Sequence, residues 1–98
     1  MSFTLKFGKR FDREFEKIDK SISEQIVKKL KRLKESPESI GKPLFHTNPA
    51  LWEFKAEVFR VFYIVQENIK EIWILSVKHK DECDEYIRKE YSKDVNKF

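Results

Sequence analysis

The chain is poor in the residues that staple, bend or loosen a fold. Its 98 residues include one cysteine, two glycines and three prolines. A single thiol, Cys83, excludes an intramolecular disulfide and suits a reducing compartment, so a cytoplasmic location is expected. No apolar run approaches the ~20 residues of a membrane-spanning helix. The opening, MSFTLKFGKRFDREF, lacks the long apolar core of a secretory signal. There is no C-x-x-C pair, H-E-x-x-H, G-x-G-x-x-G or P-loop lysine. His46, His79 and one cysteine, well separated, make a poor zinc site. Neither a metal nor a cofactor is expected, and no membrane contact.

Charge is what the chain has in excess. Charged residues make up 39% of it, against roughly 25% in an average domain. Its net charge of +4 favours polyanionic partners without choosing among them. Apolar residues reach 40%, with nine Phe, three Tyr and two Trp. That supplies one aromatic-rich core, so residues 1–98 are expected to form a single domain.

Periodicity changes along the chain. Phe3, Leu5 and Phe7 alternate with polar residues, as in a short strand, until Gly8. Phe11, Phe15 and Ile18 then fall three or four apart, on one face of a helix. S-I-S-E at 21–24 matches a capping box, with Ser21 as N-cap of a second helix. Its stripe is Ile22, Ile26, Val27, Leu30 and Leu33, with lysines and Arg32 on the other side. ESPESIGKPLFHTNPA holds all three prolines and reads as a loop. In LWEFKAEV the period is two, a half-buried strand. Phe59–Val65 is apolar on both parities except at Arg60, as in a central strand. After a turn at Glu67-Asn68, KEIWILSVK (70–78) reads as a third strand. Cys83, Tyr86, Ile87 and Tyr91 share one face of a C-terminal helix. The expected fold is α+β, in the order β-α-α-β-β-β-α, with helices on a mainly antiparallel sheet.

This layout, with LWEFK, FRVFY and a last strand running into KHK, resembles the RelE/ParE superfamily of toxins from type II toxin–antitoxin pairs. The FRVFYIV run is most similar to the HigB-like branch. The resemblance covers nearly the whole chain in element order, with sequence likeness concentrated in residues 51–65 and 76–86. It implies a metal-independent endoribonuclease that cuts messenger RNA on the ribosome, held in check by a cognate, RelB-like antitoxin in an oligomeric complex. By the same motifs Lys55, Arg60, Lys80 and Tyr86 are the implied catalytic residues, with His79 a possible acid or base. Two departures stand out. AEVF must turn without the glycine that many relatives carry there, and LWEFK has lysine where they often have arginine, a point charge in place of a bidentate fork.

The residues themselves leave alternatives open. Arg60 either awaits an anion or pairs with Glu53 or Glu57. Lys55 and Lys80 suit solvated positions, and Tyr86 and the two tryptophans have core spacing. His46 reads as polar surface, and a change of strand parity would turn His79 away from Arg60. A ParE-like inhibitor of DNA gyrase would use the same fold without RNase chemistry. An inactive, antitoxin-binding relative would need only the surface.

Overall fold

The structure is a computed structural model that describes residues 2–44, 47 and 49–98; the reading of His46 falls outside these. Strand β1 (Thr4–Phe7) leads into helices α1 (Lys9–Phe15) and α2 (Lys20–Glu35). A one-turn helix α3 (Pro37–Ile40) and a two-residue strand β2 (Lys42–Pro43) follow. Strands β3 (Trp52–Ala56), β4 (Phe59–Gln66) and β5 (Glu71–His79) form a meander. Helices α4 (Cys83–Lys89) and α5 (Tyr91–Asn96) close the chain. Spatially the strands run β1-β5-β4-β3-β2, with β1 parallel to β5 and every other pair antiparallel. The expected element order and class hold. No helix of the described residues is long and apolar enough to cross a membrane.

Both faces of the sheet are covered, which is why β4 and β5 do not alternate cleanly. On one face Phe54, Val61, Tyr63, Ile72 and Ile74 pack with Phe11 of α1 and Ile26, Leu30 and Leu33 of α2. On the other, Leu51, Phe62, Ile64 and Leu75 pack with Tyr86 of α4, flanked by Trp73, Ile87 and Val95. Trp73 also stacks on Phe98, with ring centroids 4.8 Å apart and planes 4° from parallel.

The most consequential irregularity is a bulge in β5. Phe62 is paired with Ser76, but the next residue of β4, Tyr63, is paired with Ile74. Leu75 is the extra residue, and an extra residue reverses side-chain parity beyond it. Glu14 of α1 grips this stretch. Its Oε1 accepts from Ser76 Oγ at 2.6 Å and from Val77 N at 3.2 Å. The β1 ladder reaches only Ile74, so the Glu14 carboxylate takes over satisfaction of the β5 edge where the ladder ends.

Local expectations are corrected at four places. Asp19, not Ser21, caps α2: its carboxylate accepts from Ser21 N at 3.3 Å and Ser21 Oγ at 2.6 Å. Asp is as good an N-cap as Ser, and starting earlier adds helical bonds from Ile22 and Ser23 to the Asp19 carbonyl. The proline-bearing segment is not wholly loop. Pro37 occupies the first turn of α3, where its missing N–H costs nothing, and Pro43 lies on the edge strand β2, a position proline tolerates. Val27 lies outside the buried stripe of α2 and is 39% exposed. The C-terminal helix is two helices, broken at Glu90. Residues eight apart in a straight helix are separated by ~12 Å along its axis; the break lets Asp94 accept from the Tyr86 hydroxyl at 2.9 Å.

Gly41 is required for space, since its φ is an ordinary −119°. A Cβ there would collide with the Tyr63 hydroxyl and the Glu53 carbonyl oxygen. Tyr63 cannot yield easily: it is fully buried and its hydroxyl donates to Pro37 O at 3.0 Å. Gly41→Ala is expected to destabilise the domain by about 1–3 kcal/mol, the usual range for overpacking. Urea titration checks this; an unchanged midpoint would show that the α3–β2 segment shifts freely.

Candidate functional site

The β3–β4 hairpin turns through Glu57 and Val58. Glu57 sits at φ 57°, in the left-handed region that costs a non-glycine residue about 1 kcal/mol or more. The turn is tight all the same, and it places Lys55 directly opposite Arg60. On the far side of β4, Arg60 faces Lys78 of β5. Lys55, Arg60 and Lys78 thus form one row across three strands, within ~10 Å at normal strand spacing. Directly opposed partners share a face, here the one covered by α4. Like charges opposed across strands are destabilising, so the row has a cost.

The Arg60 guanidinium folds back over the hairpin. Its Nη1 donates to the carbonyl oxygens of Phe59 at 3.1 Å and Glu57 at 3.3 Å. Among the described residues Arg60 makes no ion pair, with Glu53 and Glu57 included. Its charge is therefore held by main-chain dipoles rather than cancelled by a carboxylate. Lys55 is exposed, and its carbonyl accepts from Lys29 Nζ of α2. Lys80 is exposed in the 3₁₀ turn after β5, and its N–H donates to Val58 O at 2.8 Å. That bond sets the Lys80 backbone beside the hairpin tip.

The bulge decides which residue of the K-H-K run joins Arg60. Had β5 alternated without interruption, His79 would share the face of Arg60 and Lys78 would not. In the structure His79 is paired with Phe59. Its ring lies edge-on to Phe59, with centroids 5.9 Å apart, and its Nδ1 accepts from Asp81 N at 3.1 Å. Phe59 belongs to the α1–α2 side of the sheet, so His79 points away from the row. Lys78 takes its place, and periodicity held no signal for it, because Ile72–Leu75 is apolar at every position.

Tyr86 is 1% exposed. Its ring stacks on Phe62 at 5.0 Å, and its hydroxyl donates to Asp94. Burial, together with the Asp94 carboxylate, holds that hydroxyl well above the usual phenol range. In this conformation Tyr86 anchors α4 to the sheet. Asp94 in turn accepts from Arg10 Nε at 2.8 Å, while Arg10 Nη2 reaches Glu90 at 3.1 Å. Half-buried Cys83 donates through Sγ to His79 O at 3.4 Å. Burial first, then the Glu53 carboxylate, push its thiol up to about 11, with Arg60 opposing them.

A family model described as the ParE toxin of the type II toxin–antitoxin system, parDE, matches residues 5–83. The chain belongs to the RelE/ParE superfamily of toxins. The match includes the Lys55–Arg60–Lys78 row and Lys80 and ends before Tyr86. Among solved structures, a double arginine-to-alanine mutant of the Escherichia coli toxin RelE in the free state has 27% identity and a TM-score of 0.73, covering 100% of this chain and 99% of its own. RelE in the intact E. coli RelBE toxin–antitoxin complex has 27% identity and a TM-score of 0.70, covering 80% of this chain and 96% of its own. The archaeal RelE–RelB complex of Pyrococcus horikoshii, at 22% identity and TM-score 0.71 over 82% of this chain and 97% of its own, shares the fold. No curated protein sequence matches the chain.

The toxin's Cys83 offers a direct test of the packing of α4. A thiol held near 11 is mostly protonated at pH 8. Alkylation by iodoacetamide at that pH is expected to be about tenfold slower than in the urea-unfolded chain, once the greater nucleophilicity of the more basic thiolate is counted. The rate in the folded toxin should keep rising to about pH 11. A plateau near the ordinary thiol value would show that α4 does not bury this residue.

Proposed function

We propose that this toxin is a metal-independent endoribonuclease that cleaves messenger RNA on the ribosome and so stops translation. The observation that carries this reading is the in-register row of Lys55, Arg60 and Lys78, with Arg60 unpaired to any described carboxylate. RNA brings its own nucleophile, so the enzyme has little covalent work to do. The 2′-oxygen attacks the adjacent phosphorus and loses its proton as the 2′-O–P bond forms. The P–O5′ bond breaks, leaving a 2′,3′-cyclic phosphate and a 5′-hydroxyl.

The phosphorane passed through on the way carries extra negative charge, and fixed cations aimed at it are worth several kcal/mol. Arg60 suits this task, being permanently charged with five donors. Lys55 shares it from the neighbouring strand. Lys80, exposed beside the hairpin tip, can bring an ammonium proton to the leaving 5′-oxygen. His79 lies on the opposite face and is given no role. Tyr86, buried on Asp94, is assigned to holding α4, so the proton of the 2′-hydroxyl is released to water.

The cognate inhibitor in this reading is a RelB-like antitoxin in an oligomeric complex. Support comes from the similar RelE chains, solved in complexes with RelB. A second reading, a ParE-like gyrase inhibitor, is favoured by the description of the matching family model. That activity needs the fold and surface but not a row of cations.

Primer extension on messenger RNA bound to programmed ribosomes separates the two. Wild type is expected to cut within the A-site codon, and Arg60→Ala to cut about 10²–10³-fold more slowly, the usual loss for one charge-stabilising group. Cutting at an unchanged rate by Arg60→Ala would overturn the role of the row. No cutting by wild type, with inhibited supercoiling by gyrase, would establish the second reading.

A further inference from the structure

Lys78 poses a question that stability does not answer. It stands opposite Arg60, with Lys55 one strand further on, so it adds a third positive charge where two already repel. Its ion pair with Glu14 adds to an anchor that Glu14 already has. Glu14 is already anchored through Oε1 by Ser76 and Val77. Lys78 uses the other oxygen, with Nζ 2.5 Å from Oε2. The same ammonium lies 5.8 Å from the centroid of the Tyr86 ring, and its side chain is 18% exposed. A lysine carries three donors on a flexible stem, so contact with Glu14 leaves donors for a second acceptor on the Arg60 side. Two carboxylates, Glu14 and the buried Glu53 on the same face, set against three cations still leave the row net positive.

We infer that Lys78 is a third phosphate-binding residue of the row, oriented by Glu14, and that its ligand is the sugar–phosphate backbone of single-stranded RNA. The inference rests on the phosphate-site reading above. Glu14 acts through Lys78 and is a positioning residue. It sets the ammonium over Tyr86 and partly offsets its charge while no phosphate is bound. Glu82, Glu85 and Glu90 border the depression on the Tyr86 side of Lys78 and outnumber Arg10, which lines it too. These carboxylates repel an anion from there and leave the Arg60 side as its approach.

The test is binding of a short 2′-O-methylated single-stranded RNA, which keeps its phosphates but cannot react. Anisotropy is measured with the purified full chain over about 50–200 mM salt, the range in which phosphate contacts reveal themselves. Each lost contact lowers the slope of log affinity against log salt by about 0.7 for a single strand. Lys78→Met is expected to lower the slope by that amount, as Arg60→Met does, while Lys78→Arg restores it. Glu14→Gln keeps an oxygen for Ser76 and Val77 and removes the competing charge, so it should tighten binding. A merely structural ion pair would make Glu14→Gln weaken binding together with Lys78→Met, and that outcome overturns the inference. So does a Lys78→Met slope equal to wild type when Arg60→Met lowers it, a result that leaves the phosphate-site reading intact. A wild type that does not bind the RNA overturns the inference, while the phosphate-site reading is decided separately by cutting on the ribosome.

Discussion

The grip of Glu14 on the bulged strand β5 is the interaction on which the other arrangements depend. Three consecutive residues, Ser76, Val77 and Lys78, converge on one carboxylate. This attaches α1 to the sheet where the β1 ladder has ended and satisfies an otherwise open edge. It also holds the segment after the bulge, where side-chain parity has been reversed. A bulge is an inexpensive local change with a long reach, because every residue beyond it changes face. Here it exchanges His79 for Lys78 in the row that contains Arg60, and so sets the chemistry of that face.

The second constraint is the covering of the sheet by α4 and α5. Two short helices of seven and six residues are too short to be stable alone. They are held by burial of Tyr86 against Phe62, by Arg10 bridging Glu90 and Asp94, and by Phe98 against Trp73. The Tyr86–Asp94–Arg10 chain of contacts ties the end of the molecule back to α1. A buried phenol needs a partner for its hydroxyl, and the break at Glu90 supplies it. The cationic row and the C-terminal helices consequently share one face of the sheet, with Lys78 in contact with both.

A toxin of the RelE/ParE superfamily uses one scaffold for different targets, so the fold alone does not name the reaction. What bears on the reaction is the like charge gathered on one face of the sheet. Arg60 bonded to main-chain carbonyls, with Lys55 opposite it and Lys78 offset by Glu14, gathers like charge on one face.

Much of this was legible in residue order. The element order follows from periodicities of two and 3.6, and the apolar runs of β4 and β5 announced a sheet covered on both sides. The position of Arg60 opposite Lys55 follows once AEVF turns tightly, although the left-handed Glu57 that permits it is not an obvious turn residue. The cap at Asp19, the α3–β2 insertion within the proline-bearing segment and the division into α4 and α5 were not legible. The last two depend on contacts between distant parts of the chain, Pro43 against Trp52 and Arg10 against Asp94, and the cap was ambiguous because Asp19 and Ser21 are equally good N-cap residues two positions apart. Sequence by itself determined the kind of domain, its excess positive charge and the central place of Arg60, because these depend on composition and local spacing. Only the tertiary structure decided that Lys78 and not His79 stands beside Arg60, because a one-residue bulge leaves no mark in a strand that is apolar on both faces.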